Sequence, residues 1–196
     1  MAEEYSTYDF NPQSLPPELL QNIGFVAMAA AQLDANLQDL IAGLLDADII
    51  EAKALALHMA APLKDQVIRS LIGLNAASAE AIDEADELMD RVKDALDRRN
   101  VIVHNSIVAR PDGSFWSVRE KSRGDVVAEL QPILAESIEE DAALIYRVSI
   151  EVIKFMQAYG ISPRDREHRN LVTINRGKKA RQDRINARRN ERINRD

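Results

Sequence analysis

The chain has no cysteine among its 196 residues, which excludes disulfides, thiolate metal sites and cysteine nucleophiles. Long apolar runs are also missing, because none reaches the roughly 18–20 residues that a membrane-spanning helix needs. The acidic N-terminus, MAEEYSTYDF, lacks the basic and then apolar pattern of a signal peptide. Only seven glycines stand against 27 alanines, which favours helix over sheet. We therefore expect a cytoplasmic, mainly helical protein that does not associate with a membrane.

Charge is unevenly distributed along the chain. Residues 164–196 carry twelve basic and five acidic side chains, whereas residues 1–163 carry thirteen basic and 27 acidic side chains. The resulting net charges, +7 and −14, form an asymmetry that often marks contact with RNA or another polyanion. We predict a mobile lead-in over 1–15, a helical domain over 16–162, and a basic tail over 163–196 that is disordered or becomes helical on binding.

Apolar residues recur at helical spacing over most of the body. Pro16 and Pro17 suit the first turn of a helix, and the 4,3,4,3 spacing that follows predicts a first helix over 17–45. A short helix is predicted over 49–59. The next helix is predicted over 62–75, with an inward face formed by Leu63, Val67, Leu71 and Leu74. A fourth helix is expected to start near Ser78, with an apolar seam at Ile82, Ala85, Met89, Val92 and Leu96.

The periodicity changes after the fourth helix. Residues 107–109 and 115–119 flank the turn signal Pro111-Asp112-Gly113, which predicts a small β-hairpin. Residues 137–140 have the sequence of a capping box and predict the start of a last helix, which Gly160 ends. The expected fold class is therefore all-α, a helical bundle with a small β-hairpin inserted before the last helix.

Polar side chains interrupt the inward face of the fourth helix at its C-terminal end. After Leu96 the seam reaches Arg99, and a neighbouring row reaches Asn100 and His104, which are four residues apart. A buried charge needs a partner or a ligand. Arg99 and His104 lie about 140° apart around a regular helix. We therefore expect either a distorted helix near His104 or two copies of the motif that face each other across a two-fold axis.

The segment Arg99-Asn100-Val101-Ile102-Val103-His104 resembles the RX4–6H motif of HEPN domains (higher eukaryotes and prokaryotes nucleotide-binding). The order of elements is also similar, with Gln32-Leu33-Asp34 in a long first helix and Pro62-Leu63-Lys64 opening a later one. The resemblance covers roughly residues 17–160. It implies an α-helical, HEPN-like domain that forms a homodimer with both motifs in one cleft. It also implies that Arg99 and His104 are catalytic and that Asn100 supports them.

Many HEPN domains are metal-independent ribonucleases that act as toxins or antiphage effectors, and some are inactive binding modules. The resemblance therefore implies an endoribonuclease that uses no metal or other cofactor and forms a 2′,3′-cyclic phosphate, with an antitoxin or regulatory protein as a further partner. The alternative is a non-enzymatic HEPN-like module that binds RNA or nucleotide, or scaffolds a protein partner. A purely structural explanation also stays open, in which Arg99 forms an ion pair with an acidic residue and His104 caps the helix.

RNA contacts are expected from basic residues outside the catalytic set. These residues are Arg98, Lys178, Lys179, Arg181, Arg184, Arg188 and Arg189. The tail either grips the RNA backbone, which predicts salt-dependent affinity, or docks on an acidic surface and masks the cleft. Lys64 is expected to be a surface lysine. Three scattered histidines without cysteine predict no metal site.

Overall fold

The structure is a computed structural model that describes residues 15–75, 78–110, 112–123, 125–164, 179, 181–183 and 186. The chain divides into two units, Met1–Arg164 and Asp165–Asp196. The described part of the first unit contains, in order, α1 (Pro17–Leu44), α2 (Ile49–Ala56), α3 (Ala61–Asn75), α4 (Ala79–His104), β1 (Ser106–Ala109), β2 (Phe115–Arg123), β3 (Asp125–Ile133) and α5 (Ala135–Ala158). The fold is mainly helical, as the composition predicts.

The hydrophobic core forms along α1. Its inward stripe includes Leu19, Val26, Leu33, Leu37 and Leu40, all of which are buried. The helix runs from Pro17 to Leu44, so the prediction over 17–45 is confirmed almost to the residue. Uninterrupted apolar spacing over seven turns leaves only one way to bury this helix.

Helix α5 lies parallel to α1, and two buried amides hold the pair in register. Asn22 Nδ2 donates to the carbonyl of Ala135 at 3.0 Å, and Asn36 Nδ2 donates to Ser149 Oγ at 2.8 Å. Residue numbers therefore rise together along the two helices. These contacts supply the partners that buried polar groups need.

Helix α4 runs antiparallel to α5. Arg98 near the end of α4 pairs with Asp141 near the start of α5, and Glu84 near the start of α4 accepts from Tyr159 beyond the end of α5. The C-terminal end of α4 therefore lies at the same end of the bundle as Asn22 of α1 and the first turns of α5.

A three-stranded antiparallel sheet of order β1-β2-β3 comes between α4 and α5 in the sequence. Phe115 of β2 pairs with Ala109 of β1 and with Ile133 of β3. The predicted hairpin is therefore incomplete, because it lacks β3. Pro132 in this strand argues against a central strand, and the proline is accommodated because β3 lies at the edge of the sheet.

Helix α5 begins at Ala135, two residues before the predicted capping box. The backbone N–H of Ile138 donates to the carbonyl of Leu134, which places Ser137 inside the first turn. The capping-box prediction is therefore wrong. Strand β3 extends to Ile133, so the chain enters the helix directly from the sheet without a polar cap.

The inward face of α3 differs in part from the predicted one, since Val67 and Leu71 are half-buried against the core as expected. Lys64, Ile68 and Ile72 are buried, whereas Leu63 and Leu74 are exposed by 47% and 80% of their surface. The buried Lys64, which pairs with the half-exposed Asp34, occupies a position that apolar periodicity assigns to the outside. Helix α2 ends at Ala56, earlier than its predicted end at 59.

Arg69 ties α3 to α4. Its guanidinium contacts Asp65 at 3.0 Å and both Asp86 and Asp90 at 2.7 Å. Burial lowers the pKa of Arg69, but the hydrogen bonds that it donates to Asp90, Asp65 and Asp86 outweigh burial and raise it. These contacts fix the spacing of the two helices beside the candidate site.

Helix α5 ends at Ala158, and Gly160 follows it, as predicted, in a left-handed conformation with φ of +64°. A Cβ at this position would meet no atom within 4 Å, so the Gly160→Ala change carries only a conformational cost. We expect the free energy of unfolding to fall by about 1 kcal/mol. Gly73→Ala, also in open space but inside α3, is expected to raise it by about 0.5–1 kcal/mol. Urea denaturation followed by circular dichroism measures both, and equal stabilities of the two variants would contradict this account.

Candidate active site

The predicted catalytic side chains lie at the C-terminal end of α4. Ala95 and Ile102, which flank Arg99 along the inward row, are buried, whereas Arg99 is half-buried. Asn100 and His104 are exposed. On the inward row, Arg99 is therefore more exposed than the apolar residues one turn before it and one turn after it.

The sheet holds this end of α4 in place. His104 is the last helical residue, and Asn105 follows it in an extended conformation. Asn105 Nδ2 donates to Oγ of the buried Ser117 in β2 at 2.9 Å. The position of His104 is thus fixed from both sides, by the helix before it and the sheet after it.

Arg99 contacts both other members of the motif. Its Nη1 lies 3.0 Å from Asn100 Oδ1 and 2.9 Å from His104 Nε2. These contacts form within one chain, and α4 continues without interruption to His104. The expectation that bringing Arg99 and His104 together needs a distorted helix or a second copy is therefore wrong. The long arginine side chain reaches around the helix and covers the angle that separates the two positions.

The contact defines the hydrogen-bonding state of His104. A guanidinium carries only donors. A hydrogen bond at this contact has Arg99 Nη1 as its donor and His104 Nε2 as its acceptor. A neutral imidazole with its proton on Nδ1 and a lone pair on Nε2 is the form that a general base requires.

No carboxylate neutralises Arg99 within the described part of the chain, where its contacts are with Asn100 and His104. The explanation in which Arg99 serves as one half of a structural ion pair gains no support from these residues. Its positive charge is partly exposed beside an imidazole, an arrangement that suits an anionic ligand.

Arg98, predicted to bind RNA, is held by two carboxylates. Its guanidinium contacts Asp141 at 2.9 Å and Asp94 at 3.1 Å. The hydrogen bond that Arg98 donates to Asp141, followed by the one that it donates to Asp94, raises the pKa of Arg98. Arg98 is therefore a link between α4 and α5, and an RNA phosphate would have to compete with both acidic residues.

The other predicted RNA contacts lie in the tail. Lys179 and Arg181 are exposed. Lys178, Arg184, Arg188 and Arg189 lie outside the described residues. Their role in RNA binding stays a prediction from charge alone.

The sequence analysis missed an ion pair near the middle of α1 in which the lysine is buried and the carboxylate is partly exposed. Lys64 is 1% exposed, and its Nζ contacts Asp34 Oδ1. Gln38 Nε2 donates to the other carboxylate oxygen of Asp34 at 2.7 Å. The prediction of a surface lysine is wrong. A signal was available, since Lys64 is in register with Ile68 and Ile72 along α3.

No group of three or more histidine and acidic side chains that could hold a metal ion occurs among the described residues. None of the helices in the described ranges is both long and apolar enough to cross a bilayer.

Comparisons of the chain with known protein families, with curated proteins and with solved structures find no match. The similarity to HEPN domains therefore rests on the residues from Arg99 to His104 and on the order of elements.

Proposed function

We propose that the protein is a metal-independent endoribonuclease of the HEPN type. The observation that carries the proposal is the contact of Arg99 Nη1 with both Asn100 Oδ1 and His104 Nε2 at the exposed end of α4. A permanent cation beside a neutral imidazole supplies the two groups that cleavage of RNA by its own 2′-hydroxyl needs.

When RNA binds, a phosphate would replace His104 as the hydrogen-bond acceptor of Arg99. A scissile phosphate is a stronger acceptor for the guanidinium than a neutral imidazole, because the hydrogen bond is then ionic at both ends. Movement of Arg99 toward the phosphate frees the lone pair of His104 Nε2. Asn100 Oδ1 can continue to hold the guanidinium during this exchange.

Cleavage then follows by proton transfer at two oxygens. His104 Nε2 takes the proton of the 2′-hydroxyl, and the 2′-oxygen forms a bond with phosphorus. The bond from phosphorus to the 5′-oxygen breaks, and that oxygen takes a proton from a second, protonated imidazole. Arg99 stabilises the added negative charge on the phosphoryl oxygens. The products are a 2′,3′-cyclic phosphate and a 5′-hydroxyl.

The second imidazole is proposed to come from His104 of another copy across a two-fold axis. An uncharged face on α1 supports this homodimer. Its exposed positions from 20 to 32 are Leu20, Gln21, Gly24, Phe25, Ala27, Met28, Ala31 and Gln32. Two bodies with a net charge of −14 can approach most easily where no charge is exposed.

The same face carries an apolar groove at the motif's end of the bundle. Phe25 and Met28 of α1 and Tyr146 of α5 line it, and they are exposed by 47%, 72% and 56%. The exposed Glu139 of α5 also lines it and is its charged member. Exposed aromatic and methionine side chains are typical of protein interfaces. The groove lies between α1 and α5, whereas Asn100 borders the groove between α3 and α4, so the two grooves share an end of the bundle and not a face.

A cytoplasmic toxin or antiphage effector, held in check by an antitoxin or regulatory protein, is the biological role that the resemblance suggests. This biological role is inferred from the known roles of HEPN domains. The chemistry proposed for the site does not depend on it.

A non-enzymatic module that binds RNA or nucleotide, or scaffolds a protein, is the second candidate. The observation in its favour is that Arg98 is satisfied by Asp94 and Asp141, which leaves Arg99 as the unpaired cation at the end of α4 among the described residues. One arginine and one exposed groove can bind a partner without any reaction.

Overproduction separates the two candidates. An active ribonuclease is expected to arrest growth of the host cell when the chain is overproduced, and Arg99→Ala is expected to relieve the arrest at equal protein level. The measurement is colony formation with and without induction, with His58→Ala as a control at another exposed histidine. A binding module would leave growth unchanged in all three forms, and arrest that persists in Arg99→Ala would contradict the assigned site.

A further inference from the structure

A small groove opens beside Asn100, between the first two turns of α3 and the C-terminal half of α4. It has a volume of about 200 Å³. Pro62, Val92 and Leu96 form its apolar walls. Pockets for drug-sized ligands usually enclose about 300–1,000 Å³. This groove therefore suits a single flat ring rather than a larger molecule.

The rim of the groove offers both hydrogen-bond donors and acceptors. Gln66 lines it and is exposed, with no hydrogen bond from its amide in the described part of the chain. Asn100 Oδ1 is occupied by Arg99, which leaves the Nδ2 donors of Asn100 for a ligand. Asp97 binds Lys93 at 2.7 Å through one carboxylate oxygen, so its second oxygen can still accept.

Charge separates the groove from the motif. Asp65 and Asp97 at the rim are paired with Arg69 and Lys93, so the rim has little net charge and is compatible with an uncharged ring that carries amino hydrogens. Arg99, which contacts Asn100 directly, attracts a phosphate. Asn100 therefore lies between Arg99, which can bind a phosphate, and the groove, which can bind a neutral ring. A nucleotide carries both groups.

We propose that this groove is a nucleobase subsite that favours adenine over uracil next to the scissile phosphate. The inference rests on the proposed ribonuclease function. A glutamine amide can pair with adenine through two hydrogen bonds, to N7 and from the N6 amino group. Asp97 can accept the other amino hydrogen. Uracil presents the O4 carbonyl at the corresponding position, where it would face a carboxylate.

The test uses oligonucleotides with one ribonucleotide among deoxynucleotides, so that only one phosphate can be cleaved. The two bases that flank it are both adenine or both uracil. We expect kcat/KM to be about tenfold higher for the adenine substrate. Gln66→Met is expected to lower the rate with adenine and to leave the rate with uracil unchanged. Gln157→Met, at an exposed position near the other end of α5, is the matched control and is expected to change neither.

A binding measurement keeps the two proposals apart. Adenosine and uridine are titrated into the His104→Ala variant, and the amide signals of Gln66 and Leu96 are followed by NMR. Shifts with adenosine but not uridine support the subsite even if the wild-type protein cleaves nothing, a result that would overturn only the ribonuclease. Cleavage without base preference, unaltered by Gln66→Met and without NMR shifts, would overturn only the subsite. Neither cleavage nor shifts would overturn both.

Discussion

His104→Ala is expected to lower kcat for RNA cleavage by a factor of about 10²–10⁴, the usual contribution of a general acid–base group. The imidazole is exposed at the end of α4, so its removal should not disturb the core. KM is expected to change little, because Arg99 still binds the phosphate. The measurement is cleavage of a fluorescent RNA by purified protein, together with a circular dichroism spectrum that shows the fold unchanged.

Two further variants sharpen this result. His58→Ala removes another exposed histidine and is expected to retain wild-type cleavage. Arg99→Lys keeps the charge but loses the planar pair of donors, so its activity should fall between wild type and Arg99→Ala. Full activity of His104→Ala would show that the imidazole takes no part in the reaction. Equal losses in His58→Ala and His104→Ala would point to a general effect of substitution.

Asp34→Ala is expected to produce the largest loss of stability. Lys64 is 1% exposed, so removal of Asp34 leaves an ammonium group buried without its counter-charge. Breaking a buried ion pair in this way typically costs about 3–5 kcal/mol. For a chain of this length we expect Tm to fall by roughly 10 °C. Differential scanning calorimetry measures the change.

The reverse change is expected to cost less. Lys64→Met leaves the Asp34 carboxylate, whose side chain is 43% exposed and can be hydrated and still accept from Gln38. The double variant Asp34→Ala/Lys64→Met should recover most of the stability that Asp34→Ala loses, since no buried charge remains. Asp39→Ala is the matched control, because its partner Lys53 is 39% exposed and such pairs contribute about 0–1 kcal/mol. Equal losses for Asp34→Ala and Lys64→Met would contradict the burial argument.

The regular parts of the fold could be predicted from local pattern. The stripe of α1 and the seam of α4 consist of apolar residues at unbroken helical spacing, and both are found as expected. Helix α3 was predicted over 62–75 and is found at Ala61–Asn75, but its inward face was predicted only in part, because the burial of Lys64 depends on a carboxylate thirty residues earlier in the chain. Strand β3 was missed because Pro132 is tolerated only at a sheet edge, and edge positions are a property of the whole sheet.

In the candidate site, too, the local features could be predicted from the sequence and the tertiary contacts could not. The spacing of Arg99, Asn100 and His104 is visible in the sequence, as is the position of the three residues at the end of a helix. Their contacts depend on the arginine rotamer, which spacing alone does not determine. The ion pairs of Arg98 depend on the packing of α5, and the groove beside Asn100 depends on the packing of α3. Each of these is a tertiary contact with no local sequence pattern.

The chemical ends of the RNA products test the central claim most directly. Purified wild-type protein is incubated with a defined RNA in the presence of EDTA, and the products are analysed by mass spectrometry. The proposed site predicts cleavage that leaves a 2′,3′-cyclic phosphate on one fragment and a 5′-hydroxyl on the other, and no such products from His104→Ala. Fragments with a 5′-phosphate, cleavage that EDTA abolishes, or intact RNA under these conditions would contradict the assignment of Arg99 and His104 as a metal-independent ribonuclease site.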